Sequence, residues 1–73
     1  MYKILVREKS NYLPTSGVVA DCNGNELQFE NQEQGMTEIE EIRKRNVETI
    51  EVIANQRRII LEKKYCLLNL INE

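Results

Sequence analysis

The segment from Val47 to Lys63 constrains the fold most, because it specifies two strands and their pairing at once. Its first half is rich in β-branched residues, and the tetrapeptide ANQR interrupts the pattern as a turn would. Pairing across that turn gives two apolar pairs and one pair of opposite charge. The three pairs are Val52 with Ile59, Ile50 with Leu61, and Glu48 with Lys63. The segment therefore predicts an antiparallel hairpin.

Two further strand regions lie nearer the start of the chain. Tyr2, Ile4 and Val6 alternate with polar residues, which is typical of a strand with one buried face. After a loop predicted over Ser10 to Gly17, the Asn23-Gly24 dipeptide fits a type I′ hairpin turn. That turn would pair Val18 with Phe29, Ala20 with Leu27, and Cys22 with Asn25. A register centred on Gly24-Asn25 also keeps the apolar residues together, so both stay open.

One short helix is expected between the hairpins. The sequence Thr37-Glu-Ile-Glu40 has the form of a capping box, and basic residues end the segment near Arg45. The pairs Glu40 with Lys44 and Glu41 with Arg45 have the spacing of favourable helical ion pairs. Because Ile39 and Ile42 alone form the apolar stripe, the helix should lie on a sheet.

The C-terminal residues 64–73 fit both a strand and a helix, and we favour a strand. The element order is then β-β-β-α-β-β. We predict a single α+β domain over residues 1–73, a small, mostly antiparallel sheet with one helix packed on a face.

Composition narrows the possible functions. A 73-residue domain buries only about 60% of its unfolded surface, which leaves little room for an enzyme cleft. The chain has no histidine, so we expect no metal site and no cofactor. It has neither a signal-like apolar core nor a long apolar span, so we expect a cytoplasmic protein. In that compartment Cys22 and Cys66 should be free thiols. The abundance of residues with AT-rich codons fits a bacterial or phage source.

The sequence contains no motif that would bring a set of catalytic side chains together. A nucleophilic cysteine needs a neighbouring base or cation, usually histidine. The glutamates of residues 38–41 are explained by a helix N-terminus. The three glycines are far apart and lack the spacing of a phosphate-binding loop. We therefore expect no enzyme.

The charges are unevenly distributed along the chain. Residues 1–42 carry a net charge of −5, whereas residues 43–64 carry +4. If the helix end and the second hairpin tip lay on one side, seven basic residues would converge on a surface for phosphates. They are Arg43, Lys44, Arg45, Arg57, Arg58, Lys63 and Lys64. The acidic half suggests instead a face for a basic partner, comprising Asp21, Glu26, Glu30 and Glu33.

These features favour a small non-catalytic module that binds another protein, such as a bacterial or phage accessory protein or inhibitor. It would act through the acidic hairpin face or an exposed sheet edge, and we expect a homodimer because a small sheet gains from extension across a two-fold axis. The alternative function is nucleic-acid binding through the basic segment 43–64.

Overall fold

The computed structural model describes residues 1–9 and 15–73, and in that part of the chain it shows a five-stranded antiparallel sheet and one α-helix. In chain order the elements are β1 (Tyr2–Glu8), β2 (Thr15–Val19), α1 (Gln32–Lys44), β3 (Thr49–Ala54), β4 (Arg57–Glu62), a 3₁₀ turn (Lys63–Tyr65) and β5 (Cys66–Asn72). The strand order across the sheet is β4-β3-β2-β1-β5. The predicted small α+β fold, a mostly antiparallel sheet with one helix, is confirmed, and so is the C-terminal strand.

The strands β4 and β5 lie at opposite edges of the sheet, but only the three-residue 3₁₀ turn joins them. The sheet must therefore coil strongly. Four strand spacings would separate the edges of a flat sheet by about 19 Å, whereas three residues of 3₁₀ helix advance by only about 6 Å. Two contacts close the gap at one end of the sheet. The Glu8 carboxylate accepts the Glu62 N–H at 3.0 Å, and the Lys9 N–H donates to the Tyr65 carbonyl at 3.0 Å.

The core lies between the inner face of the coiled sheet and α1. Ile4, Val6 and Val52 are fully buried there. Ile39 and Ile42 are buried on the helix, as predicted. Each such side chain contributes about 1.5–3 kcal/mol when it leaves water, so these five residues make a large contribution to the hydrophobic stabilisation.

The β3–β4 hairpin has the predicted turn and register. Asn55 and Gln56 have φ values of 51° and 63°, the left-handed conformation that a two-residue type I′ loop requires. Ile50 lies opposite Leu61, and Val52 lies opposite Ile59.

The third predicted pair is correct in position but not in its side-chain contact. The Lys63 N–H donates to the Glu48 carbonyl at 2.8 Å, so the two residues lie opposite each other. The Lys63 ammonium donates instead to the carbonyls of Ile42 and Arg45 at the end of α1. The favourable interaction of a cation with the negative end of a helix explains this choice.

The first hairpin is shifted by one residue from the Asn23-Gly24 prediction. Its loop has three residues and ends at Gly24, which has a φ of 81°. The Asp21 side chain accepts the N–H groups of Asn23 and Asn25 at 2.8 and 2.9 Å, and these bonds stabilise the wider loop. Both registers predicted for this hairpin are therefore wrong.

The shift changes the pairing partners of residues 25–29, the second arm of the first hairpin. Ala20 lies opposite Glu26, and the Leu27 N–H donates to the Val19 carbonyl at 2.9 Å. Leu27 consequently packs against the core. The arm is not a regular strand, and Phe29 forms an isolated bridge to Tyr2.

The predicted loop from Ser10 to Gly17 falls largely outside the described residues. Its last part is wrong, because β2 begins at Thr15. Gly17 lies opposite Val6 and beside Val52, and this side of β2 has little space for a side chain.

The N-cap of the helix lies six residues earlier than predicted. Asn31 is its N-cap and accepts the Gln34 N–H at 2.9 Å. Thr37 lies inside the helix and donates its hydroxyl to the Glu33 carbonyl, so it does not form the expected capping box. The helix ends at Lys44, close to the predicted end.

The ion pairs expected within the helix also differ. Arg45 pairs with Glu38 at 3.3 Å rather than with Glu41. Among the described residues, Glu40 and Lys44 form no ion pair. Arg45 has left the helical conformation at the C-cap, which redirects its side chain.

Candidate functional site

The four acidic residues proposed as a partner-binding face have different environments. Asp21 stabilises its own loop, and Glu26 pairs with Lys3 at 2.7 Å. This hydrogen-bonded pair raises the pKa of Lys3. Glu30 is exposed just before the helix, and Glu33 is exposed in its first turn. Two of the four carboxylates are thus already used within the protein.

The seven basic residues do not converge. Arg43, Lys44 and Arg45 end α1, and Lys63 and Lys64 follow β4 at the same end of the sheet. Here a cleft of about 540 Å³ is lined by Arg45, Lys63 and Lys64 together with Glu48 and Glu62, among others.

Arg57 and Arg58 lie at the opposite end of β4, beside the hairpin tip. The separation follows from the chain path, since α1 leads into the start of β3, and β3 must run its full length before the tip. Five residues along a strand span about 17 Å, so one phosphate cannot contact both groups.

Several of these cations also have partners within the protein. Arg58 pairs with Glu51 at 2.7 Å, and the Lys64 ammonium lies 5.0 Å from the centre of the Tyr65 ring. Together with the contacts of Arg45 and Lys63, this leaves Arg43, Lys44 and Arg57 without a described ion pair or side-chain hydrogen bond.

The two cysteines are separate free thiols. Cys22 is exposed, whereas Cys66 is half-buried and donates its S–H to the Glu62 carbonyl at 3.1 Å. Burial raises the pKa of the Cys66 thiol, and the negative charge of Glu8 raises it further. A thiol with a raised pKa is a poor nucleophile at neutral pH, so this geometry does not favour thiol catalysis.

The strongest candidate for a binding site is the outer edge of β5. The two edge strands of the sheet differ in charge. β4 contains Arg57, Arg58 and Glu62, and charged residues commonly protect an edge from pairing with another chain. β5 has the sequence CLLNLIN and contains no charged residue, proline or glycine. An uncharged seven-residue edge is therefore presented by β5 alone among the described strands.

The main chain of β5 has unpaired groups along this edge. Lys9 donates to Tyr65, and Glu73 donates to Met1, so the odd-numbered residues of β5 form the hydrogen-bonded pairs with β1. The even-numbered Leu68, Leu70 and Asn72 direct their N–H and C=O groups away from β1. We call these groups the β5 edge, and none has a described main-chain partner.

Exposed apolar side chains lie beside the β5 edge. Leu67 is 47% exposed on the outer face of the sheet. On the inner face α1 passes close to Leu70 at Gly35, and the next helical residue, Met36, is 47% exposed. Glu38 and Arg45 lie on the flank of α1 that lines a cleft with Val19. By the helical period Met36 lies on the other flank, towards the β5 edge.

Sequence reasoning did not identify the β5 edge as a specific site. The signal was the uncharged run at residues 65–72, but its position at an edge depends on pairing with β1, which is far away in the sequence.

No protein family, curated protein or solved structure matches this chain. Over residues 1–9 and 15–73, no group of three or more His, Cys, Asp or Glu side chains could hold a metal ion. The helices in the same ranges are too short or too polar to span a membrane.

Proposed function

We propose that the protein is a non-catalytic binding module that pairs an extended strand of another polypeptide chain with the β5 edge. The observation that carries this proposal is an uncharged edge strand of seven residues in which the outward main-chain groups of Leu68, Leu70 and Asn72 have no described partner. In strand addition, main-chain hydrogen bonds supply affinity, and alternate side chains supply specificity. Leu67 and Met36 provide apolar contact on the two faces beside the edge.

The acidic-face hypothesis has less support than the β5 edge. Asp21 and Glu26 would have to exchange their contacts within the protein for contacts with a partner. Exposed charges also change association rates and selectivity more than affinity. An acidic surface could still guide a basic partner towards the edge.

Nucleic-acid binding through residues 43–64 has less support as well. The basic residues occupy two ends of β4, and several are paired within the protein. A phosphate-binding surface would show steep weakening of binding with salt. We propose strand capture as the function, with salt-sensitive nucleic-acid binding as the outcome that would replace it.

The test begins with a displayed library of random ten-residue peptides selected on the immobilised protein. Asn69→Lys places a charge on the exposed face of β5, and Ile60→Lys is the matched control on β4, where Ile60 is 65% exposed. We expect Asn69→Lys to weaken binding of the selected peptides by about tenfold or more. The control should bind as the native protein does.

Amide hydrogen exchange supplies an independent measurement. A bound strand should protect the Leu68 and Leu70 amides, which have no described acceptor in the free protein. Peptides whose binding is lost in Ile60→Lys and retained in Asn69→Lys would refute capture at β5. Loss of binding only after Asp21, Glu26 and Glu30 are changed to lysine would support the acidic face instead.

A further inference from the structure

The strand β5 is complementary to itself, and we infer that a second copy of this chain occupies the β5 edge, with a two-fold axis at Asn69. This inference rests on the proposed function, since it names the partner of the same edge. Asn69 is the central residue of the seven in β5. Antiparallel pairing about it brings the whole of both strands into register and continues each five-stranded sheet into the other.

The main-chain groups fit this register. Leu68 of one copy lies opposite Leu70 of the other, and each of these residues directs both of its polar groups outward. An antiparallel hydrogen-bonded pair exchanges two bonds, so the two Leu68–Leu70 pairs form four. Asn69 lies opposite its own counterpart in a non-hydrogen-bonded pair, where the two Cα atoms are about 4.5 Å apart.

The side chains also match on both faces of the sheet. On the outer face Leu67 of each copy meets Ile71 of the other, and the two Asn69 amides meet on the axis. On the inner face Leu68 meets Leu70. Opposite residues in an antiparallel pair share a face, so this register joins apolar side chains to apolar ones.

Neighbouring registers do not match as well. An axis at Leu68 places Leu67 opposite Asn69, and an axis at Leu70 places Leu67 opposite Glu73. Axes between residues would pair an inner-facing side chain with an outer-facing one, which the pleat forbids. The axis at Asn69 is thus favoured by the sequence of β5 itself.

Charges at the two ends of β5 favour the antiparallel direction. Lys64 precedes the strand, and Glu73 follows it. About the Asn69 axis, Glu73 lies opposite Tyr65 of the second copy and beside its Lys64, and this contact occurs twice. Parallel pairing would bring each charge close to its own counterpart. Electrostatic complementarity of this kind selects orientation.

The register is tested by cysteines introduced one at a time in a background that lacks both native thiols, Cys22→Ser with Cys66→Ser. The expected Cα separation at position 69 lies at the short end of the disulfide range of about 4.4–6.8 Å. Asn69→Cys should therefore cross-link to itself in a glutathione redox buffer. Leu67→Cys is the matched control, because its side chain is exposed on the same face but should lie about 13 Å from its counterpart. It should cross-link only when mixed with Ile71→Cys.

Sedimentation across a wide concentration range gives the oligomeric state of the native chain. We expect a reversible dimer, which Asn69→Lys dissociates and Ile60→Lys leaves intact. A native protein that stays monomeric, or equal self-cross-linking at positions 67 and 69, would overturn the inference.

The two proposals fail separately. A monomeric protein whose Leu68 and Leu70 amides become protected by a selected peptide would retain strand capture and exclude the second copy. If neither self-association nor a peptide protects these amides, both proposals are wrong.

Discussion

Replacing Gly17 by alanine should destabilise the protein, because β2 approaches β3 closely at this position. A Cβ atom there would lie 2.8 Å from the Ile53 carbonyl oxygen and 2.8 Å from a methyl group of Val52. The carbonyl belongs to a strand paired on both sides, and Val52 is fully buried, so neither atom can move freely. Overpacking of this kind costs about 1–3 kcal/mol.

One term opposes this cost. Alanine loses less backbone entropy than glycine on folding, which stabilises a strand by about 0.5–1 kcal/mol. The net loss of unfolding free energy should therefore be about 1–2 kcal/mol. In a domain of this size each kcal/mol lowers Tm by about 4–8 °C, so we expect a fall of roughly 5–15 °C.

Gly35→Ala is the matched control. Its Cβ would meet a terminal methyl group of Leu70, which a side-chain rotation can move. Alanine also gains about 1 kcal/mol of helix propensity over glycine. We expect a stability within about 1 kcal/mol of the native protein. Urea and thermal unfolding at one protein concentration measure both variants. A Gly17→Ala protein as stable as Gly35→Ala would refute the argument.

Further predictions concern the contact between Glu8 and Glu62, the reactivity of Cys66 and the turn of the β3–β4 hairpin. Glu8→Ala leaves the Glu62 N–H without its carboxylate acceptor and should cost about 1–3 kcal/mol in urea unfolding; an unchanged midpoint would show that water replaces the carboxylate. Cys66 should be alkylated more slowly than Cys22, and its rate should rise only at a pH above the usual thiol range, because its pKa is raised. Glu8→Gln removes the negative charge and should shift the Cys66 pH profile downward, and an unmoved profile would contradict the electrostatic contribution of Glu8. Gln56 has the left-handed backbone conformation, which is costly for a residue with a side chain. Gln56→Gly removes this strain and should stabilise the hairpin by about 0.5–1 kcal/mol, whereas a lower Tm would contradict the conformation at this turn.

Local patterns predicted the β3–β4 hairpin well, because its turn and both apolar pairs lie within a few residues of one another. The predicted register of the first hairpin is wrong by one residue, because the Asp21 side chain stabilises a three-residue loop. The simple alternation of apolar residues does not contain that information.

The start of the helix shows a different reason for error. Asn31 is a good N-cap, but Gly35 four residues later weakens the helical pattern. The structure explains this glycine by the close approach of α1 to Leu70. That contact joins distant parts of the chain and cannot be inferred from helix propensity.

Predicting the candidate site from the sequence would require knowledge of long-range strand pairing even more than predicting the helix start does. The sequence shows that residues 66–72 are uncharged, but it does not show which side of the strand is unpaired. The basic residues illustrate the converse, since Arg58 and Lys63 are close in the sequence, yet Arg58 lies near the start of β4 and Lys63 follows its other end.

The pairing of β1 with β5 makes the chain nearly circular. Tyr2 lies opposite Asn72, and the Met1 ammonium donates to the Glu73 carbonyl at 3.1 Å. A short linker could therefore join residue 73 to residue 1, with a new opening at the hairpin tip between Asn55 and Gln56. Every strand pair would be kept in this circular permutant, while the most distant pairing in the sequence would become a local hairpin. The opening in turn makes the β3–β4 pairing the most distant one in the sequence, so the mean sequence separation of the contacts changes little and the permutant should fold at a similar rate.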